Sequence, residues 1–234
     1  GVAPVETTGQ VRWFKRPTPG HTYMVSLDPS MGTGGDFAAI QVFELPTFEQ
    51  VGEWQHNMTP MNQQVRILQG INKHIHDSIV EKDASATPQI FYSMENNTIG
   101  EAALMRVMDI GEENIMGMFL SEPIRKGHRR KFRRGFNTTA KFKIDACTKF
   151  KELVESGKMK INSQLLISEL KDFVATGLSY KAKPGQHDDL VSSCLLMTRM
   201  MKVLADFDPK IFEKWTDRSS ELTAPMPIFG NFYG

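Results

Sequence analysis

The sequence has no long hydrophobic run, and no stretch approaches the roughly eighteen consecutive apolar residues that a membrane-spanning helix needs. Its beginning also lacks a basic stretch followed by an apolar one, so we expect a protein that is not secreted. Only two cysteines, Cys147 and Cys194, occur, and both fall in predicted helices. Neither a structural zinc site nor a disulfide framework is therefore expected, and a reducing compartment fits best.

A nucleotide-binding P-loop is also missing. The stretch Gly32-Thr33-Gly34-Gly35 is rich in glycine, but the pattern G-x-x-x-x-G-K-[ST] occurs nowhere in the chain. This excludes a P-loop ATPase, and we predict that the chain binds no nucleotide. The glycines are expected to form a turn between two strands.

Charge is nearly balanced overall, but it is unevenly distributed. The net charge is +1, yet thirteen Lys or Arg face only four Asp or Glu between Ser121 and Lys160, a local balance of +9. Seven cations and no acid lie within residues 125–135: Arg125, Lys126, Arg129, Arg130, Lys131, Arg133 and Arg134. Such a run repels itself unless an anion is nearby, so it predicts contact with a DNA backbone. A solvated basic loop is the alternative.

Strand and helix patterns alternate along most of the chain. The predicted strands are Thr22–Leu27, Ala38–Glu44, Gln50–Gln55, Gln89–Met94 and Ile115–Phe119. Helices are predicted near residues 60–82, 98–108, 138–155, 163–173 and 188–204. This order predicts an α/β fold, with a mixed sheet whose first three strands are antiparallel and with helices on both faces.

The pattern also predicts how the chain is divided. Residues 1–20 contain three prolines and little periodicity, and we interpret them as an irregular lead-in. One domain is expected over residues 21–208. The stretch 209–234 is rich in proline and glycine and is expected to be a surface or flexible tail.

Acidic residues follow or begin several predicted elements. Asp28 follows the first of these strands, Glu95 follows the fourth, and the Asp188-Asp189 pair begins the last helix. Because groups at strand ends line the ligand crevice of an α/β sheet, these carboxylates can meet there. They would suit Mg²⁺ or Mn²⁺, and two ions about 4 Å apart can hydrolyse a phosphodiester. The alternative is structural, since Asp-Pro is common in turns and aspartates cap helices.

Three segments carrying these acids resemble one known family. They are residues 24–40, MVSLDPSMGTGGDFAAI; residues 91–100, FYSMENNTIG; and residues 185–191, GQHDDLV. In this order and spacing they are similar to the three acidic motifs of the nuclease domains of large terminases from tailed phages. The resemblance runs from about Thr22 to Met201. It implies a ribonuclease H-like fold and an endonuclease that cuts double-stranded DNA, trimming concatemeric viral genomes during packaging into the capsid.

The resemblance also assigns roles to residues. It implies that Asp28, Glu95 and Asp189 are catalytic and hold the metals, with Asp188 as a further ligand candidate. His187 is implied to orient a water or contact the leaving oxygen, although a polar residue at a helix start explains it as well. Asp36 matches an acidic position of the family, and turn stabilisation explains it equally well.

The resemblance also implies partners, and other functions stay open beside it. The implied partners are DNA, an ATPase half of the same large subunit that this chain lacks, a small terminase subunit and the portal; the expected location is the host-cell cytoplasm, with no membrane. Three alternatives stay open: a Holliday-junction resolvase or transposase-like nuclease, a non-catalytic DNA-binding module, and an ATP-binding relative of the actin-like fold.

Overall fold

The computed structural model describes residues 1–123, 134–176, 179–207 and 209–210, with the backbone alone for 174–176, 179 and 207. Its strands are β1 (Glu6–Thr8), β2 (Val11–Trp13), β3 (Thr22–Asp28), β4 (Ala38–Leu45), β5 (Glu49–His56), β6 (Gln89–Met94), β7 (Met118–Phe119), β8 (Phe173–Thr176) and β9 (Ser179–Ala182). Its α-helices are α1 (Met61–Lys82), α2 (Thr98–Ile110), α3 (Ala140–Glu155), α4 (Gln164–Asp172) and α5 (Asp189–Phe207). Among these described helices, none has the length and apolar character needed to span a bilayer.

Seven strands form one mixed sheet in the order β1-β2-β5-β4-β3-β6-β7. β3, β4 and β5 pair antiparallel, whereas β6 pairs parallel with β3 and with β7. The predicted α/β fold with an antiparallel opening is therefore confirmed. β8 and β9 form a separate antiparallel hairpin.

The lead-in predicted as irregular over residues 1–20 is wrong in part. Glu6–Thr8 and Val11–Trp13 are strands, and Arg12 and Trp13 pair with β5 at the edge of the sheet. Trp13 is buried there at 1% exposure, so this segment belongs to the core. Three-residue strands are too short to show an alternating pattern, which is why their periodicity gave no signal. Of the proposed tail at 209–234, only residues 209–210 lie within the described part.

Helices cover both faces of the sheet because the central strands are apolar on both sides. On β3, Tyr23, Val25 and Leu27 join a core formed with α1 and α2. Met24, on the alternate face, joins a second core formed with α3, α4 and α5. This alternation decides that Ser26 and Asp28 also face the side of α5. The two cores hold the sheet between them.

At the end of the sheet where β3 begins, Glu44 is a buried carboxylate surrounded by donors. Its Oε2 lies 2.9 Å from His21 Nδ1, its Oε1 accepts hydrogen bonds from Thr47 and Lys15, and Tyr23 donates a further hydrogen bond. Burial raises the pKa of Glu44, but the hydrogen bonds from His21 and Lys15 outweigh burial and lower it from 4.5 to about 2. The ionised form of Glu44 therefore stabilises the fold.

We predict that this carboxylate makes part of the fold acid-sensitive. Because its folded pKa is depressed, its contribution is present above about pH 4.5 and is lost as pH falls toward 2. A shift of this size corresponds to a stabilisation on the order of 3 kcal/mol. Urea unfolding between pH 6 and 2 should show a shallower acid loss for Glu44→Gln than for the native chain, and parallel profiles would contradict the assignment.

Candidate metal centre

Asp28 and Glu95 are brought together by the parallel pairing of β3 and β6. Leu27 is in register with Met94, and the Glu95 amide donates to the Leu27 carbonyl at 3.2 Å. Asp28 and Glu95 are the next residues on adjacent strands, where backbones lie about 4.8 Å apart. Alternation puts both side chains on the α5 face, beyond Ser26 and Ser93. The sequence prediction that these two acids meet is supported by this geometry.

A pair of buried serines sets the position of α5 against β3. Ser26 Oγ lies 2.8 Å from both the backbone carbonyl and the hydroxyl of Ser193, and Ser193 Oγ lies 3.1 Å from the Ser26 carbonyl. Two residues along the strand, about 7 Å, lead from Ser26 to Asp28. Four residues back along the helix, about 6 Å, lead from Ser193 to Asp189. The serine contact therefore places Asp189 beside Asp28.

The residues around the start of α5 gather at the same edge. Asp189 accepts a backbone hydrogen bond from Phe37 and lies 3.6 Å from His187 Nδ1. The His187 ring also meets the edge of the Phe37 ring, with centroids 4.9 Å apart. Asp36 is close enough to repel Asp189 electrostatically. Asp188 has a different contact, because its Oδ2 accepts a hydrogen bond from the Ala182 amide at 3.1 Å.

Crowding of like charges is the main electrostatic feature of this cluster. The pKa of Asp28 is raised well above its usual 3.8 by burial and by the hydrogen bond and charge of Glu95, with smaller repulsion from Asp189 and Asp188. Burial and repulsion from Asp188 and Asp36 raise the pKa of Asp189 to about 6. His187 and the Phe37 amide oppose this rise only in part. A group of carboxylates in this state binds a proton or a cation more tightly than isolated carboxylates do.

The cluster fits a hard divalent cation by its chemistry. Its donors are carboxylate oxygens, and among the described residues no three His, Cys, Asp or Glu side chains already surround one ion position. Mg²⁺ uses one or two carboxylates per ion and keeps several waters, so a closed cage of protein ligands is not required. Cys147 and Cys194 are free, buried cysteines, and burial raises the pKa of each thiol.

The close approach of α2 to the end of β6 requires a glycine in the second motif. Asn97 caps α2 by accepting the Gly100 amide at 2.7 Å. A Cβ on Gly100 would lie 1.8 Å from the Glu95 carbonyl oxygen, so no other residue fits there without moving the strand end. This glycine therefore helps to fix the backbone that carries Glu95.

The basic segment is attached to the same edge. Arg125, Lys126, Arg129, Arg130, Lys131 and Arg133 lie outside the described residues. The flanks are described: the Glu122 amide donates to the Gly135 carbonyl at 3.1 Å, and Phe136 forms a parallel bridge with Glu95. Arg134, the seventh cation, forms an ion pair with Glu112 and lies over the Phe119 ring at 4.9 Å. The segment therefore leaves and rejoins the fold next to the carboxylates.

Arg199 on α5 contacts both flanks of the basic segment, and the sequence analysis did not identify it. It forms an ion pair with Glu122, donates to the Asn137 carbonyl at 3.1 Å, and stacks on Phe136 and Phe142. Burial lowers its pKa to about 10, partly opposed by the charge of Glu95, so it remains protonated at neutral pH. An isolated arginine within an apolar helix was the only sequence signal.

Glu169 on α4 was also missed. Its Oε2 accepts the amides of Leu190 and Val191 at 2.9 and 3.1 Å, and its Oε1 accepts from Gln55 Nε2 at 3.1 Å. Burial raises its pKa to about 7, and repulsion from Asp189 adds to this rise. The available signal was its position, since it lies three residues after the buried Leu166 on the apolar side of a short helix.

Comparisons with known proteins identify the family of the chain and its fold. Residues 25–200 match the family described as "Terminase RNaseH-like domain". The structure is similar to the large terminase nuclease of thermophilic phage G20c with bound magnesium, at 17% identity and a TM-score of 0.60, covering 83% of this chain and 89% of that chain. It is similar to the Thermus phage P74-26 large terminase nuclease domain, at 18% identity and a TM-score of 0.57, covering 83% and 87%.

The structure is also similar to a terminase nuclease domain from human cytomegalovirus. The manganese-soaked, inhibitor-bound nuclease domain of human cytomegalovirus terminase is 14% identical, with a TM-score of 0.53, covering 82% of this chain and 86% of that chain. At these identities the structural likeness shows a common fold, and the match over residues 25–200 shows the family. The ribonuclease H-like fold expected from the sequence is thereby confirmed.

We predict that the metal-free protein becomes more stable as pH falls from 8 to 5. The folded pKa values of Asp189 and Glu169, about 6 and 7, exceed the ordinary 3.8 and 4.5, so the folded state binds protons more tightly in this window. Asp28→Asn, which removes one of the crowded charges, should stabilise the chain at pH 8 by on the order of 1 kcal/mol.

Thermal unfolding in EDTA measures both effects. Asp77→Asn is the matched control, because Asp77 is exposed on α1 and pairs with Lys73. The electrostatic account is wrong if the native unfolding temperature falls between pH 8 and 5, or if Asp28→Asn and Asp77→Asn have the same effect at pH 8.

Proposed function

The chain belongs to the family of terminase ribonuclease H-like domains, and from this membership we propose that it is a divalent-metal-dependent endonuclease that cleaves double-stranded DNA. The observation that carries the proposal is the meeting of Asp28, Glu95 and Asp189 at one edge of the sheet. These residues come from β3, the end of β6 and the start of α5. Burial raises the pKa values of both Asp28 and Asp189, and repulsion from Glu95 adds to the rise at Asp28, as repulsion from Asp188 does at Asp189.

In this proposal Asp28, Glu95 and Asp189 hold two Mg²⁺ or Mn²⁺ ions, with Asp188 as an additional ligand. Bound ions of this kind supply an activated water and stabilise the leaving oxygen of a phosphodiester. The protein orients the acids through the β3–β6 register and the Ser26–Ser193 contact. His187, whose Nδ1 lies 3.6 Å from Asp189, is proposed to orient a water or to contact the leaving oxygen, and Asp36 adds negative charge beside Asp189.

The basic segment is proposed to hold the DNA backbone near the carboxylates. Its seven cations are Arg125, Lys126, Arg129, Arg130, Lys131, Arg133 and Arg134. Support comes from the flanks, which bond to β6 beside Glu95, and from the local charge of +9 between residues 121 and 160. Arg134 contributes less to DNA binding in this proposal, because Glu112 already neutralises it.

The proposed biological role is cutting concatemeric viral genomes during packaging. Support comes from the family and from the names of similar structures, which are nuclease domains of large terminases from phages and from cytomegalovirus. The proposed partners are the ATPase half of the large subunit, the small terminase subunit and the portal. Packaging of this kind takes place in the host cell, and for a phage we propose the bacterial cytoplasm.

The first prediction from this proposal concerns Glu95. Glu95→Gln keeps the shape of the side chain but removes the charge that binds metal, so cleavage of a linear duplex and of a plasmid should fall by about 100-fold or more. The measurement is digestion with 5-fold dilutions of protein, with Mn²⁺, with Mg²⁺ and in EDTA. Glu101→Gln is the control, because Glu101 is an exposed carboxylate in the first turn of the neighbouring α2.

The outcomes of this digestion distinguish the proposed endonuclease from a non-catalytic DNA-binding module and from a resolvase. Undiminished cleavage by Glu95→Gln rejects the proposed site, and no metal-dependent cleavage by the native chain leaves a non-catalytic DNA-binding module. Cleavage confined to four-way junctions, with linear duplex left intact, favours a resolvase instead.

The second prediction concerns the basic segment. Each phosphate contact contributes about 0.9 to the slope of log K against log[salt], so replacing Arg129 and Arg130 with Gln should reduce this slope by roughly 2 and weaken DNA binding. Binding is measured by fluorescence anisotropy in the cleavage-deficient Glu95→Gln chain, so that the duplex stays intact.

A double variant of equal charge change serves as the control. Lys73→Gln with Arg106→Gln removes two cations from α1 and α2, where they pair with Asp77 and Asp109. An equal loss of salt dependence in both double variants would show that overall charge, rather than this segment, binds the DNA.

A further inference from the structure

The start of α5 is capped by a residue from another helix. The Ser192 amide donates to the Asp188 carbonyl at 2.8 Å, which makes Asp188 the residue that precedes the first helical position. An aspartate in this position ordinarily accepts the amides two or three residues ahead through its own side chain. Here those amides, of Leu190 and Val191, donate instead to Glu169 Oε2 of α4.

Because Glu169 accepts these amides, neither Asp188 nor Asp189 has to cap the helix with its own carboxylate. The Asp188 carboxylate accepts the Ala182 amide at 3.1 Å. The Asp189 carboxylate faces Phe37 and Asp28. Because Glu169 satisfies the amides that the helix start leaves without partners, neither aspartate has to turn back toward its own helix.

Glu169 is itself fixed from the opposite side by the sheet. Its Oε1 accepts the side-chain amide of Gln55, near the end of β5, at 3.1 Å. Oε2 accepts two amides and Oε1 accepts a third donor, so protein groups fill three of the roughly four acceptor positions of this carboxylate. Glu169 therefore supports the cluster mainly through hydrogen bonds to the backbone of α5 and to Gln55.

We propose that Glu169 is a positioning residue of the metal centre, which holds the first turn of α5 so that the Asp189 carboxylate faces Asp28 and Glu95. This inference rests on the proposed function, because it assumes that these acids bind divalent ions. Leu190 and Val191, whose amides bond to Glu169, also have fully buried side chains, so packing and hydrogen bonds together fix this turn.

The test is Mn²⁺ binding by the full chain, measured by isothermal titration calorimetry and separately from cleavage. Glu169→Ala should weaken Mn²⁺ affinity by about tenfold or more, the usual effect of removing a group that orients a metal ligand. Cleavage should recover at high Mn²⁺, so that the metal concentration at half-maximal rate rises more than the maximal rate falls. Glu169→Gln, which retains an acceptor for both amides, should restore most of the affinity.

Asp172→Asn is the matched control. It removes one negative charge from the same helix and leaves the first turn of α5 untouched, since Asp172 pairs through its side chain with Lys183. It should bind Mn²⁺ as the native chain does. Thermal unfolding of every variant in EDTA reports on folding independently of metal.

Several results would overturn the proposal. One is a folded Glu169→Ala chain that binds Mn²⁺ with native affinity; another is an equal loss in the Ala and Gln variants, which would show that charge and not position matters. If Glu169→Ala does not fold, Gln55→Leu replaces it, and unchanged Mn²⁺ affinity in that variant rejects the role. Native-like Mn²⁺ binding by Asp28→Asn would instead reject the proposed function.

Discussion

Repulsion among carboxylates at one edge of the sheet is the constraint around which the rest of this structure is arranged. Burial and repulsion from Glu95, Asp189 and Asp188 raise the pKa of Asp28, and burial and repulsion from Asp188 and Asp36 raise the pKa of Asp189. Left to themselves, such side chains would separate, because moving apart lowers their energy. Each of the three carboxylates therefore has to be attached to a backbone segment that other contacts hold in place. These three segments come from distant parts of the chain.

The fixed backbones come from contacts that do not involve the acids. The β3–β6 register sets Asp28 beside Glu95. The contact between buried Ser26 and Ser193 fixes the position of α5 along β3, and the carboxylate of Glu169 fixes the first turn of α5. The serine contacts are buried and those of Glu169 are partly buried, and satisfied buried polar contacts specify one arrangement more strictly than apolar packing alone does. Contacts within the protein therefore set the positions of the three backbones that carry the acids.

Much of this could be predicted from the sequence, and the omissions have physical causes. Helix and strand periods located β3 to β6, α1 and α5, and element ends marked Asp28, Glu95 and the Asp188-Asp189 pair, because a ligand crevice forms where strands end. The roles of Glu169 and Arg199 depend on which helices become neighbours, and no local pattern contains that information. Strands β1 and β2 were missed because three residues are too few to show a period.

The two ends of the central sheet show how one fold can contain opposite electrostatic environments. Glu44, near the start of β3, is surrounded by Lys15 and His21, and its pKa falls to about 2. Asp28, six residues from the first residue of the same strand, is buried and is repelled by Glu95, Asp189 and Asp188, and its pKa rises. Ionisation of Glu44 therefore stabilises the fold at one end of the strand, whereas ionisation of Asp28 opposes it at the other. The two apolar cores supply the stability that permits the crowded end to exist.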